Sequence, residues 1–173
     1  MLILISGASA SGKSTISMGL SKVISAVIIP QDAFYNCEFM LFPYDKVTDG
    51  HLEMPDIIDW DKLVRTVRSI PRGVNVIVEG HCLYCCKELV KMANHCFFID
   101  INYSTCKKRY VSRYSDNYSI EQLDMKEKYF DSFTWPIHQQ YVVDNVMKDE
   151  NIVRIDCNLN AIENMKNIIL YDF

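Results

Sequence analysis

Apolar and polar positions along the chain follow two alternating periods. Short apolar runs of strand length recur at residues 1–5, 26–29, 74–78, 95–101 and 152–156. Between them, apolar residues return every three or four positions, the spacing of a helix face. After the first run, residues 15–25 put Ile16, Leu20, Val23 and Ile24 on one such face. Pro30 stops the second run, and Asp59 stands where it would cap a helix bearing Trp60, Leu63, Val64 and Val67. Pro71 and Gly73 end that helix. Val74, Val76, Ile77 and Val78 form the most β-branched run, which predicts a central parallel strand closed by Glu79 and Gly80. Helices are predicted at 83–92 and 104–113, with a polar turn at 115–119. Ser119 and Gln122 make a capping box for a long helical stretch reaching about Met147, kinked or split near Trp135 and Pro136. Asn160 and Glu163 open a final helix with Ile162, Met165 and Ile169 on its apolar face. Strands alternating with helices in this way argue for the α/β class, a parallel sheet covered on both faces.

Residues 36–58 break the pattern. They hold two prolines, Gly50 and the apolar Phe39, Leu41, Phe42 and Tyr44, with neither period. So long a segment inside a compact domain points to a lid or a substrate-binding loop, and its apolar content argues against a plain surface insertion.

Composition narrows the partners. At 173 residues with 49% hydrophobic and 23% charged positions, the chain reads as one globular domain, 1–173. A net charge of -4 and a pI near 5.5 lack the basic footprint of a nucleic-acid binder. No apolar run approaches bilayer-spanning length, so no membrane partner is expected. The first run is also too short, and too poor in basic residues, for a signal sequence. Nothing in the composition assigns an oligomeric state. The seven cysteines, Cys37, Cys82, Cys85, Cys86, Cys96, Cys106 and Cys157, read as free thiols in a reducing, cytoplasmic setting. Cys82 and Cys85 form a C-x-x-C beside His81, which raises zinc or redox chemistry; a structural zinc site would need a second ligand pair at matching spacing.

The decisive stretch follows the first strand. Gly7, Ala8, Ser9, Ala10, Ser11, Gly12, Lys13 and Ser14 fit G-x-x-x-x-G-K-[ST] at every fixed position, and Thr15 continues into the helix. The glycines let successive N–H groups curl around one concavity, and the helix N-terminus adds partial positive charge there. Lys13 would reach the β and γ phosphates, and the Ser14 hydroxyl would sit on Mg²⁺. An ordinary Gly/Ser turn is the bland alternative, and strand, spacing and helix together argue against it.

Phosphoryl transfer further asks for an acceptor-orienting carboxylate and for cations over the transferred group. Asp32 follows the second strand, where open α/β sheets place ligands. Glu79 ends the β-branched strand and can reach the magnesium shell or a substrate hydroxyl. Arg109 and Arg113, four apart on one helix face, can clamp phosphate oxygens as a lid closes. The plainer readings are a turn aspartate, a strand-end acid, and a solvated basic face shared with Lys107 and Lys108.

These motifs resemble the uridine kinase and nicotinamide riboside kinase group of P-loop nucleoside kinases. The resemblance covers nearly the whole chain. Besides the loop from Gly7 to Ser14, it runs through Gln31-Asp32-x-Phe34-Tyr35, Pro55-Asp56-x-x-Asp59-Trp60-Asp61-x-Leu63 and Val78-Glu79-Gly80. It continues in the helix at 106–113 and in Tyr129-Phe130-Asp131-x-x-x-Trp135-Pro136. The last stretch is similar to nicotinamide riboside kinases, the Pro-Asp-x-x-Asp-Trp-Asp stretch to uridine kinases.

The resemblance implies a P-loop NTPase fold with a five-stranded parallel sheet, a lid at about 109–121 and a substrate-binding loop at about 36–58. It implies MgATP-dependent phosphorylation of the 5′-hydroxyl of a small-molecule ribonucleoside, nicotinamide riboside first, with uridine or cytidine as the alternative. Asp32 takes the general base's place, Lys13 and Ser14 hold phosphates and Mg²⁺, and Glu79 and Asp32 support the metal. Arg109 and Arg113 match lid arginines. The loop at 157–160, with Asn158, matches a region flanking adenine. Phe34 falls on the acceptor side, and the ribose-gripping carboxylate lands on Glu53, with Asp56 competing. Two departures concern the base: Ala33 replaces a second acid, and Leu52 stands where an aromatic precedes the ribose carboxylate. Tyr114, near the lid, can supply a stacking ring instead. A P-loop kinase of another small metabolite and an ATP-sensing module are the competing functions.

Overall fold

The computed structural model describes residues 1–36, 51–157 and 160–171. Its strands are β1 (Leu2–Gly7), β2 (Ala26–Pro30), β3 (Asn75–Gly80), β4 (His95–Asp100) and β5 (Ile152–Asp156). All pair in parallel, in the order β2-β3-β1-β4-β5. The sheet is the five-stranded parallel one expected, with β1 rather than β3 at its middle. A β-branched run reports burial on both faces, which every inner strand shares, so it does not single out the central one.

Helices cover both faces. They are α1 (Lys13–Ile24), α2 (Trp60–Ser69), α3 (Lys87–Met92), α4 (Tyr103–Ser112), α5 (Ile120–Tyr129), α6 (Trp135–Tyr141) and α7 (Ala161–Tyr171). Alternation along β1 divides the core: Leu2 and Leu4 pack with Leu63, Val64, Leu89 and Phe98, while Ile3 and Ile5 pack with Ile16, Leu20, Met165 and Ile169. Val23 is 49% exposed, at the edge of the α1 face that was expected to bury it. The Asp59 carboxylate caps α2 by accepting from the Lys62 N–H, and the Ser119–Gln122 capping box opens α5.

Three predicted elements differ in detail. The helix expected at 83–92 is a 3₁₀ turn, Leu83–Cys85, followed by the short α3. Tyr84 is held from outside, its N–H on the Tyr141 hydroxyl at 3.2 Å and its own hydroxyl on the Phe97 carbonyl at 2.6 Å. The long helical stretch does not break at Pro136 but widens into π turns at Phe130–Thr134 and Val142–Val146. Proline lacks an N–H and its ring crowds the preceding turn, and the wider turn relieves both.

The third is the segment at 36–58. Residues 37–50, with Cys37, Phe39, Leu41, Phe42, Tyr44 and Gly50, lie outside the described residues. The remainder forms 3₁₀ turns at His51–Glu53 and Pro55–Ile57, too short to show a period. Ile57 and Ile58 are buried in the core. Asn36 N–H bonds the Ile57 carbonyl and Asp59 N–H the Phe34 carbonyl, both at 2.8 Å, so the two ends of the segment are tied together.

Candidate active site

The site forms where the carboxyl ends of β1, β2 and β3 meet. Pairing Ile5 with Glu79 and Glu79 with Pro30 brings the phosphate loop, Glu79 and the turn Gln31–Phe34 side by side. The loop is tight: a Cβ on Gly7 would lie 2.9 Å from the Ile99 carbonyl oxygen, and Gly12 starts α1 at φ +97°. No side chain caps α1, so its first amides remain directed at the loop, the geometry of an anion site.

Lys13 donates to the Ala8 carbonyl at 3.2 Å. Burial pushes its pKa down, opposed by the charges of Glu79 and Asp32. The Ser14 hydroxyl lies 3.1 Å from both Glu79 carboxylate oxygens. Burial raises the Glu79 carboxyl, with Lys13 and Ser14 pulling the other way. Asp32 is exposed on its turn, anchored between the buried Gln31 and Phe34.

Of the two carboxylates competing for the ribose, the structure brings Glu53 to this site. Thr134 Oγ1 donates to Glu53 Oε1 at 2.8 Å, and Lys13 and Asp32 both act on its charge. Asp56 is exposed on the next turn. Burial is the largest influence on Glu53 and raises its carboxyl pKa. The folded chain therefore holds this proton more tightly than the unfolded chain. That contribution to stability is present at acid pH and is lost as pH rises through the raised pKa. Glu53→Gln is expected to raise Tm at pH 7 by about 2–4 °C, the shift that about 1 kcal/mol produces in a chain of this size. The difference should shrink toward pH 4, which paired thermal melts across that range would read.

The remaining expected residues divide. Arg109 reaches the Ser11 carbonyl at 3.3 Å, and Arg113, just past α4, acts on Lys13. An open groove beside them is lined by Ser104, Thr105, Lys108, Arg109, Ser112 and Arg113. Phe34 is only 7% exposed, within the core, so it seats Asp32 rather than offering a face to a substrate. Tyr114 meets Tyr110 and Tyr118 edge-on, and the Lys126 ammonium lies 4.7 Å over its ring. Asn158 lies outside the described residues.

The surroundings of the C-x-x-C favour its protonated thiols. Burial raises the Cys82 thiol well above its ordinary value and Cys85 to about 11, the reverse of an activated cysteine. Among the described residues, no group of three His, Cys, Asp or Glu side chains forms a metal cluster, and no helix is long and apolar enough to cross a membrane.

Behind Glu53 lies a polar cluster whose role the sequence reading did not assign. Gln31 Nε2 meets His81 Nδ1 at 3.0 Å, and Gln31 Oε1 accepts from the Cys82 N–H at 3.3 Å. The Ser6 hydroxyl lies 3.2 Å from the His81 carbonyl and 3.1 Å from the Tyr141 hydroxyl. Burial, reinforced by Lys13, pushes both His81 and His138 down to about 4. The one sequence signal for Thr134 and His138 is that they flank Trp135 and Pro136, where the helix widens.

The model of the AAA domain family matches residues 3–129. Human nicotinamide riboside kinase 1 is 28% identical over 156 residues, covering 81% of this chain and 75% of that protein. A gluconokinase from Sinorhizobium meliloti superposes with a TM-score of 0.59 at 16% identity, covering 98% of this chain and 95% of the other. Deoxyadenosine kinase from M. mycoides, solved with bound dATP, gives 0.57 at 18% identity, covering 98% and 100%. The family model spans most of its length, so the chain belongs to the AAA domain family; with its curated kinase relatives it is a P-loop kinase domain, and the solved neighbours share its fold.

Proposed function

We propose that this kinase transfers the γ-phosphoryl group of MgATP to the 5′-hydroxyl of a ribonucleoside, nicotinamide riboside foremost. The observation that carries it is the convergence of Lys13, the Ser14–Glu79 pair and Asp32 on one sheet end, with the Thr134-held Glu53 behind them. The acceptor oxygen attacks the γ-phosphorus, its proton passes to the Asp32 carboxylate, and the bond to the β–γ bridging oxygen breaks to release ADP. Lys13 and the loop amides hold the β and γ oxygens, while Arg109 and Arg113 cover the transferred group and exclude water as the lid at 109–121 closes.

Ser14 and Glu79 suit Mg²⁺, since a hydroxyl and a carboxylate already meet there as hard oxygen ligands, with Asp32 beside them. Bound there, the ion would neutralise phosphate charge. Thr15 completes the phosphate site and Asn158 flanks adenine. Glu53 grips the ribose hydroxyls. The likeness to human nicotinamide riboside kinase 1 supports this choice of acceptor, and cytoplasmic action fits its use of ATP.

One observation favours a second reading. Leu52, beside Glu53, packs against the core where a base-stacking ring would be expected, which suits a kinase of a smaller hydroxylated metabolite. ADP release from MgATP against nicotinamide riboside, uridine, cytidine, adenosine and gluconate, with Lys13→Ala as blank, decides between them. Turnover with one riboside supports the nucleoside reading. Turnover with gluconate alone overturns it in favour of the second, and silence with ATP still bound points to a sensing module.

A further inference from the structure

The polar cluster behind Glu53 is built to a chemical specification. Gln31 Oε1 accepts from the Cys82 N–H, which fixes the amide so that its Nε2 is a donor. That donor faces His81 Nδ1 at 3.0 Å. His81 Nδ1 must therefore accept, so the ring is neutral and carries its proton on Nε2. The sequence protects the arrangement at Gly80, where a Cβ would lie 2.2 Å from Gln31 Oε1 and 2.6 Å from Gln31 Cβ. Any side chain at position 80 would expel the amide that orients the ring.

His81 Nε2 is buried and, among the described residues, makes no well-formed hydrogen bond. The Glu53 backbone carbonyl acts on the ring as a hydrogen-bond acceptor, but in a geometry too poor to satisfy the N–H. A buried N–H left unsatisfied is costly, and such groups persist where a ligand completes them. His81 lines a cavity with Glu53, Cys82, Thr134, His138 and Tyr141. It encloses about 30 Å³, room for about two waters or one substituent of a ligand, but not for a whole nucleoside. Glu53 gives one carboxylate oxygen to Thr134 and keeps acceptor capacity on the other. The cavity thus pairs an unused donor with an unused acceptor. A hydroxyl, which accepts and donates at once, matches both.

We propose that His81 is a specificity-determining residue of the acceptor site: its Nε2–H donates to a hydroxyl of the acceptor that donates in turn to Glu53. The proposal rests on the acceptor reading above and assigns Glu53 a partner in it. The site then selects acceptors with a hydroxyl at that point, and rejects analogues bearing hydrogen there.

The test is a cycle of variants and analogues. Steady-state kinetics would compare wild type, His81→Phe, His81→Gln and His81→Asn on nicotinamide riboside and uridine, with the 2′-deoxy and 3′-deoxy forms of uridine and 2-pyrimidinone riboside, which lacks the 4-carbonyl. One deoxy analogue should lose about 10- to 100-fold in kcat/KM with wild type. His81→Phe should lose a similar factor on uridine and no longer discriminate against that analogue, with KM for MgATP unchanged. His81→Gln, whose amide reaches the Nε2 position, should keep the discrimination, and His81→Asn, whose amide stops short, should lose it. This pair keeps the test decisive if His81→Phe does not fold.

Equal behaviour of His81→Gln and His81→Asn overturns the proposal. So does undiminished discrimination in His81→Phe, or a selective loss with 2-pyrimidinone riboside, which would assign the donor to a base carbonyl. If wild type phosphorylates gluconate and no riboside, the nucleoside reading fails on its own. The same variants tested on gluconate and its deoxy forms then judge His81 separately.

Discussion

Asp32→Asn is expected to lower kcat by about 10²- to 10⁴-fold, the range a positioned general base contributes, while MgATP binds as before. The side chain lies at the end of β2, on a turn fixed by the wholly buried Gln31 before it and the core residue Phe34 after it. Asparagine keeps the shape of aspartate and removes only the capacity to take the hydroxyl proton, so the turn should survive. Because Asp32 acts on Lys13 and Glu79 through its charge, a modest change in Mg²⁺ dependence should accompany the loss. ATP affinity by calorimetry and single-turnover transfer to the accepted riboside would separate the two effects. A kcat within tenfold of wild type would remove Asp32 from the base's role, and a lost ATP affinity would recast it as a metal support alone.

What could be read from the chain depended on how local the information was. The phosphate loop was legible because its function is its own backbone: two glycines, a lysine and a hydroxyl at fixed spacing between a strand and a helix. Asp59 and Ser119 were legible for the same reason, since a cap needs only the residue three positions on. Strand positions followed from apolar runs, whereas strand order did not, because nothing in the β3 run says that β1 lies between it and β4. The π turns escaped because Pro136 announces a disturbance without stating how the backbone relieves it. Thr134 and His81 were hidden more deeply. Thr134 meets Glu53 across 81 positions and His81 meets Gln31 across 50. No periodicity encodes contacts of that range; the parallel sheet brings the strand ends together first, and only then do these side chains acquire partners. Asp56 and Glu53 show the same limit: spacing left both in play, and only the fold sets Glu53 against Thr134 while leaving Asp56 exposed.

Lys13→Met should be nearly inactive, with kcat reduced about 10²- to 10³-fold for the loss of one preorganised donor, and yet no less stable than wild type at pH 7. The two outcomes share one cause. Burial is the largest influence on the Lys13 ammonium and lowers its pKa despite the opposing charges of Glu79, Asp32 and Glu53. A base whose folded pKa is depressed disfavours folding while it is protonated, that is, at every pH below the folded value. Methionine, of similar length and without charge, removes that cost together with the attraction to the nearby carboxylates, and the depressed pKa says the cost is the larger of the two. Glu53 follows the same logic with the opposite charge, which is why Glu53→Gln is also expected to stabilise. Thermal melts of Lys13→Met from pH 5 to 9, alongside turnover, would check this. A Tm several degrees below wild type near pH 7 would mean that the carboxylates around Lys13 more than offset its burial. The expected pattern instead identifies Lys13 and Glu53 as charges partly withdrawn from water at the expense of the resting fold.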